Sequence, residues 1–291
     1  MIEYKLFLDI CVLYDIMILE EVIPFSLYHG SVILTEDLDL KNKPLVEVIF
    51  ELHWELYETT ETKNKIDPHY SLLIGTIYSE AKSDYKYHER LPSSEIPDRL
   101  APYVIQHRFR KADGQWPLIQ MGPGIITLNE TTGYAWRDFS RRVSDLIDML
   151  FRVYPEPEKL DFSKIMLRYI DAISFDYNDD ILEFLSGKMK TEVRFQQDLF
   201  KNTGVKSTPF DLDLRFAFHT INPKGAMDIR IRRGKGINGE DALIWNTIIH
   251  SMGDDIPKTK EDIATWVDQA HTVTHDWFFK MIEGELLEEF R

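Results

Sequence analysis

Between Pro44 and Leu56 the chain reads P-L-V-E-V-I-F-E-L-H-W-E-L, with Val46, Val48, Phe50, Leu52, Trp54 and Leu56 apolar at every second position. A period of two belongs to a β-strand, whose successive side chains point to opposite faces of a sheet. Glu47, Glu51, His53 and Glu55 stand between the apolar residues. The expectation is an antiparallel sheet with one face on a core and the glutamate face in water.

The segments that follow have turn chemistry between them. Asp67-Pro68 reads as a helix start, with Tyr70, Leu72, Leu73, Ile74, Ile77 and Tyr78 as an apolar face to about Ser79. Tyr85 to Arg90, Val104 to Arg110, Trp116 to Met121 and Ile125 to Asn129 read as strands of an antiparallel meander, punctuated by Pro-Ser-Ser, Ala-Asp-Gly-Gln and Gly-Pro-Gly. From Tyr134 to about Tyr154 the apolar residues recur at helical spacing until Pro155 and Pro157 stop the run.

The second half repeats the order. Ile165 to Tyr177 is a second long strand, Asp180 to Met189 a short helix, and Phe210 to Thr220, Met227 to Arg232 and Ala242 to His250 further strands. A last helix is expected from Lys260 to Phe290, with Thr259 as its N-cap and Asp262 in a capping-box role. Trp136-Arg-Asp138 and Trp266-Val-Asp268 open the two long helices 130 residues apart, and the two long strands begin near Leu45 and Ile165, 120 apart. The fold class expected is therefore α+β: two internally duplicated β-α-β(n)-α halves forming one curved antiparallel sheet gripped by two long helices. The division is 1–40 as an N-terminal extension, 41–157 as the first half and 158–291 as the second. The extension is read as an extra strand or helix packed on the body, or as weakly ordered residues ahead of a native start further in, such as Met17.

Forty-four per cent hydrophobic and 12% aromatic residues suffice for a sizeable core in 291 residues. Forty-nine acidic against 34 basic residues give a net charge of -15, which disfavours broad binding of nucleic acid or anionic membranes. One cysteine, Cys11, excludes an intramolecular disulfide framework, and with nine histidines it argues against a zinc finger. The longest uncharged runs, Val22 to Thr35 and Trp116 to Asn129, are 14 residues each, short of the roughly 20 that span a bilayer as helix. The N-terminus lacks the pattern of a signal peptide. A cytoplasmic protein with no membrane segment is expected.

P-L-V-E-V-I-F-E (Pro44 to Glu51), G-P-G (Gly122 to Gly124), Y-x-W-x-x-F (Tyr134 to Phe139), L-R-Y-I-D (Leu167 to Asp171) and D-x-A-H (Asp268 to His271) together resemble a sporadically distributed family of uncharacterised bacterial proteins. The resemblance runs over about residues 41 to 291 and leaves out the first forty. It implies the fold rather than a chemistry, because that family has no assigned activity. Its sporadic occurrence implies an accessory gene, of the kind gained and lost with defence or toxin neutralisation.

Asp268, His271 and His275 are spaced to share one helix face and could offer a carboxylate and two imidazoles to a metal; the plainer reading is an Asp-His contact within the helix. Arg230, Arg232, Arg233 and Lys235 stand among three glycines and could hold a phosphate, although no P-loop is spelled and a solvated hairpin is the simpler account. Gly234-x-Gly236-x-x-Gly239 lacks the strand-turn-helix setting of a dinucleotide site. Tyr134 and Trp136 either rim a groove or pack a helix. Arg168 and Asp171 interrupt an apolar strand at a separation that places them on opposite faces, so each needs a partner or lines a ligand groove.

No catalytic motif is present and no cofactor is implied. The reading favoured is a non-catalytic binding or adaptor protein that offers a groove or edge to a protein partner or small ligand, with oligomerisation left open. The alternatives are a metal-dependent hydrolase or nuclease using Asp268, His271 and His275, and a nucleotide or RNA sensor using the basic loop, the one route by which nucleic acid enters.

Overall fold

The computed structural model describes residues 40–58, 65–131, 133–236 and 239–291. The extension expected at 1–40 thus falls, but for Leu40, outside the described residues.

Nine strands form one antiparallel sheet. The first half of the chain supplies β1 (Leu45–Trp54), β4 (Tyr87–Arg90), β5 (His107–Arg110), β6 (Leu118–Gly122) and β7 (Ile125–Glu130). The second supplies β8 (Phe162–Ser174), β9 (Asp213–Thr220), β10 (Gly225–Lys235) and β11 (Asp241–Met252). Two short strands, β2 (Tyr57–Glu58) and β3 (Lys65–Ile66), pair with each other separately. The order across the large sheet is β4-β5-β6-β7-β1-β8-β11-β10-β9, so the long strands β1 and β8 lie side by side at its centre. The expected meander appears as the consecutive neighbours β4 to β7.

The described helices are α1 (Tyr70–Ala81), α2 (Trp136–Val153), α3 (Ile181–Lys188), α4 (Lys260–Ile282) and α5 (Glu285–Phe290). Thr259 caps α4 as expected, its hydroxyl accepting the Asp262 amide at 3.1 Å. Asp180 caps α3 by accepting the amides of Leu182 and Glu183. The single last helix expected from Lys260 to Phe290 is instead two, because Gly284 takes φ +122° and ends the α-helical run. Pro68 does not open α1, whose cap is His69. Asp67 serves as an anchor there, accepting from the His69 amide at 3.0 Å and the Trp54 indole at 2.9 Å.

The register shows why the sheet has two unlike faces. One row runs His88, Phe109, Ile119, Leu128, Phe50, Leu167, Ile249, Met227, Phe218 from edge to edge. Its central residues join one core with Phe139, Val143, Leu146, Ile147 and Leu150 of α2 and with Ile263, Trp266, Val267 and Ala270 of α4. The neighbouring row, on the opposite face, runs Glu89, Arg108, Gln120, Thr127, Glu51, Met166, His250, Ala226, His219. The alternation in β1 therefore reports two faces, as expected. The glutamate face is nonetheless not a wet one: Glu47 is 5% and Glu51 8% exposed, while Glu55 beyond the strand is exposed. Ile49, Met166, Ile170 and Ile248 are buried on that face too.

Gly122-Pro-Gly124 closes the turn from β6 to β7. A Cβ at Gly122 would lie 1.9 Å from the Val104 carbonyl oxygen, and Gly124 has φ +76°, so both positions require glycine.

Candidate functional site

Two polar clusters lie on the central strands, one on each face. On the second face Glu47 accepts from Asn129 Nδ2 at 2.9 Å and from the Trp116 indole at 3.4 Å. Gln120 donates to Asn129 Oδ1 at 3.1 Å and accepts from Arg108 Nε at 2.6 Å, and the Thr127 hydroxyl donates to Asn129 Oδ1 at 2.7 Å. Burial pushes the Glu47 carboxyl up, against the opposing pull of Asn129, Trp116, Arg108 and Arg168. Burial would raise Glu51 as well, but His53, hydrogen-bonded to it at 2.6 Å, together with Lys164 and Arg168, brings it down to about 2. Two glutamates four residues apart on one strand thus sit in opposite electrostatic situations. Tyr103 stacks on His53 at 5.0 Å between ring centres, and Trp116 lies 5.2 Å from the Arg110 guanidinium.

Arg168 stands at the middle of this face. Its cross-strand neighbours are Ile49 on β1 and Ile248 on β11. Its Nε is buried with no acceptor among the described residues, and its guanidinium donates to the Met166 sulfur at 3.9 Å. The expected opposition of Arg168 and Asp171 is observed, because Asp171 lies on the helix face opposite Trp245. Burial alone raises the Asp171 carboxyl to about 8, with no cation offsetting it, and the Trp245 indole nitrogen is likewise buried without a partner.

On the helix face, Tyr134 and Trp136 meet His271, which the sequence had assigned to a different candidate site. The Tyr134 and Tyr169 hydroxyls are 2.8 Å apart, and the Tyr169 hydroxyl is 2.9 Å from His271 Nδ1. The Trp136 ring stacks on His271 at 3.7 Å and 9°. Burial, aided by the neighbouring His275, lowers the His271 imidazole to about 3. It is therefore neutral at physiological pH and engaged through one nitrogen. Tyr169 lies within the L-R-Y-I-D segment, yet nothing there marks it as a site residue beyond a polar tip in a largely apolar strand.

Asp268, His271 and His275 do not form the metal set their spacing allows. His271 turns to Tyr169, the His275 ring packs on Phe279 at 4.6 Å, and Asp268 lines a cleft of about 350 Å³ between α2 and α4 with Ser140, Ser144 and Ala264. No group of three His, Cys, Asp or Glu side chains positioned for a metal occurs among the described residues.

The basic segment is likewise divided. Arg230 and Arg232 point to the second face, Arg230 gripping Asp213 through 2.8 and 2.6 Å bonds. Arg233 points to the other face, donates to the Phe210 and Tyr177 carbonyls and lies 4.6 Å from the Tyr177 ring, while Lys235 pairs with Asp241. A strand, with its period of two, separates residues that a loop would have gathered.

The chain is thus an α+β protein built on one antiparallel sheet with a charged network on one face and a helix-covered core on the other. It matches no protein-family model, no curated protein and no solved structure. No described helix is long and apolar enough to cross a membrane.

Proposed function

We propose that this is a non-catalytic binding protein, and that it engages an anionic group of a protein partner or small ligand at Arg168 on the second face of the sheet. One observation carries the reading: the half-buried Arg168, flanked by Ile49 and Ile248 on the neighbouring strands, whose buried Nε has no acceptor among the described residues. An oxyanion paired with that guanidinium would offset its desolvation through a charge-assisted hydrogen bond. On the same face burial pushes the Glu47 carboxyl up, whereas Glu51 holds Lys164 at 3.5 Å.

The other two readings have less behind them. The hydrolase or nuclease needs Asp268, His271 and His275 to converge, and they do not; the sensor needs Arg230, Arg232, Arg233 and Lys235 together, and the strand keeps Arg230 and Arg232 on one face while sending Arg233 to the other.

The resemblance to the sporadic bacterial family, whose segments include Glu47, Glu51, Arg168 and Tyr169, supports a role in an accessory system of the defence or toxin-neutralising kind. We also infer an internal duplication. It is supported by the sheet order, in which β1 pairs with β7 and β8 with β11, while β1 and β8 meet antiparallel at the centre. The Trp136 and Trp266 signatures on the paired helices α2 and α4 agree, and those two helices are the ones read as gripping the sheet.

The test is thermal stabilisation by a panel of phosphate, nucleoside phosphates, citrate and a Glu-rich peptide, on wild type and Arg168→Met. At least one anion is expected to stabilise wild type and to lose that effect in the variant. A folded Arg168→Met with an unchanged response, or a wild type indifferent to every anion, overturns the assignment.

A further inference from the structure

The two ends of the large sheet are unequal. At one end β4 has four residues; at the other β9 has eight, six of them exposed, and β9 pairs only with β10 among the described residues. An edge strand of that length presents a row of free backbone donors and acceptors, and proteins ordinarily protect such an edge with proline, a bulge or inward charge. β9, D-L-R-F-A-F-H-T, contains no proline and pairs with β10 without a register break. Its helix-side residues are Leu214, Phe216 and Phe218, opposite Ile231, Ile229 and Met227. Phe216 is 42% and Phe218 43% exposed, their rings 6.4 Å apart, with Trp277 of α4 5.5 Å from Phe218. The apolar row of the core therefore continues to the edge and stops there in the open.

We infer that β9 pairs antiparallel with β9 of a second copy of this chain, across a two-fold axis at Phe216. The argument for a second copy is self-complementarity. Placing Phe216 opposite itself sets Leu214 against the second copy's Phe218 on the helix side. On the other face it sets Asp213 against the second copy's His219 and Arg215 against its Ala217. Aromatic and apolar pairs, and a carboxylate facing an imidazole, are favourable cross-strand contacts. Moving the axis to Ala217 would set Phe216 against the second copy's Phe218, but would also set Arg215 against His219 and Asp213 against Ile221, beyond the end of the strand. With the axis at Phe216, Ile221, itself highly exposed, also falls opposite the second copy's Asp211 and beside its exposed Phe210. The nine-stranded sheets of two copies then become one continuous sheet. Each chain carries a net charge of -15, so long-range repulsion opposes the dimer and salt strengthens it by screening.

Sedimentation equilibrium of the full chain at low to high micromolar concentration is expected to show a monomer-dimer equilibrium shifted toward dimer as salt rises. Phe216→Lys, kept only if its circular dichroism and melting match wild type, should weaken the dimer about tenfold or more. A chain with Cys11→Ser and Phe216→Cys should cross-link to itself under mild oxidation, whereas Cys11→Ser with Phe218→Cys should not, since only the residue on the axis faces its own copy. A wild type monomeric throughout, a dimer undisturbed by folded Phe216→Lys, or cross-linking through Phe218→Cys but not Phe216→Cys would each overturn the inference. Co-purification of an unrelated extended peptide that Phe216→Lys releases, with no self-association, would also overturn it in favour of a foreign strand.

Discussion

Asp171→Asn should stabilise this protein, and by an amount that depends on pH. The carboxyl lies on the helix face of β8, opposite the unpartnered Trp245 indole, with no cation beside it. Its raised value means that the folded state prefers the proton. The stability linked to it is fully present below the unfolded carboxyl range and is lost as pH rises toward the folded value. Taking 3.8 unfolded and about 8 folded, at about 1.4 kcal/mol per unit, the folded state loses about 2 kcal/mol by pH 5, about 4 by pH 7 and about 6 above pH 8. Asparagine has the same shape and cannot ionise, so it removes this dependence. Urea unfolding of both proteins at pH 5 and pH 7 should show the variant's advantage widening by about 2 kcal/mol between them. A gap that stays constant over that interval would mean that Asp171 is charged in the folded state, and would sink the reasoning.

Glu51 has the opposite sign. With its carboxyl held at about 2, its contribution of about 3 kcal/mol is present above the ordinary glutamate range and lost as pH falls toward that value. Glu51→Gln should therefore lower the urea midpoint at pH 6 and have little effect near pH 2; a deficit independent of pH would count against the pairing with His53 and Lys164. Gly122→Ala puts a Cβ against the Val104 carbonyl and should cost about 3 kcal/mol or abolish folding, so an alanine variant with wild-type stability would refute the close approach. His271→Ala removes both the Tyr169 hydrogen bond and the Trp136 stack and should cost about 2–4 kcal/mol by denaturation. His271→Phe, which keeps the stack, should cost less, and equal losses would show that stacking contributes nothing.

Local periodicity gave β1, the meander, α2 and the Thr259 cap, because each is decided by neighbours within a turn or a strand. The burial of Glu47 and Glu51 could not be read that way. Alternation says that two faces differ, and nothing in it says which meets water; the partners of Glu47 are Trp116 and Asn129, 69 and 82 residues away. The same limit applies to the site residues. Asp268, His271 and His275 have the spacing of a shared helix face, yet a tyrosine on β8 and a tryptophan on α2 determine what His271 does. Tyr134 and Trp136 were visible as an aromatic pair, and their meeting with His271 is a property of how α2 lies along α4. The basic segment was legible as charge and misleading as a cluster, since strand geometry sends Arg232 and Arg233 to opposite sides.

The central β1-β8 pairing has a consequence for assembly. Residues 155–161, containing Pro155 and Pro157, link the last helix of the first half to β8 and lie on the surface side of the junction. If the chain were cut there, each fragment would expose one long strand whose natural neighbour is on the other piece, with a register spanning Leu45 to Trp54 against Asp171 to Phe162. The two pieces would then be mutual templates, and reconstitution from separately made halves would measure how strongly that seam, together with the packing of α2 on α4, holds the protein together.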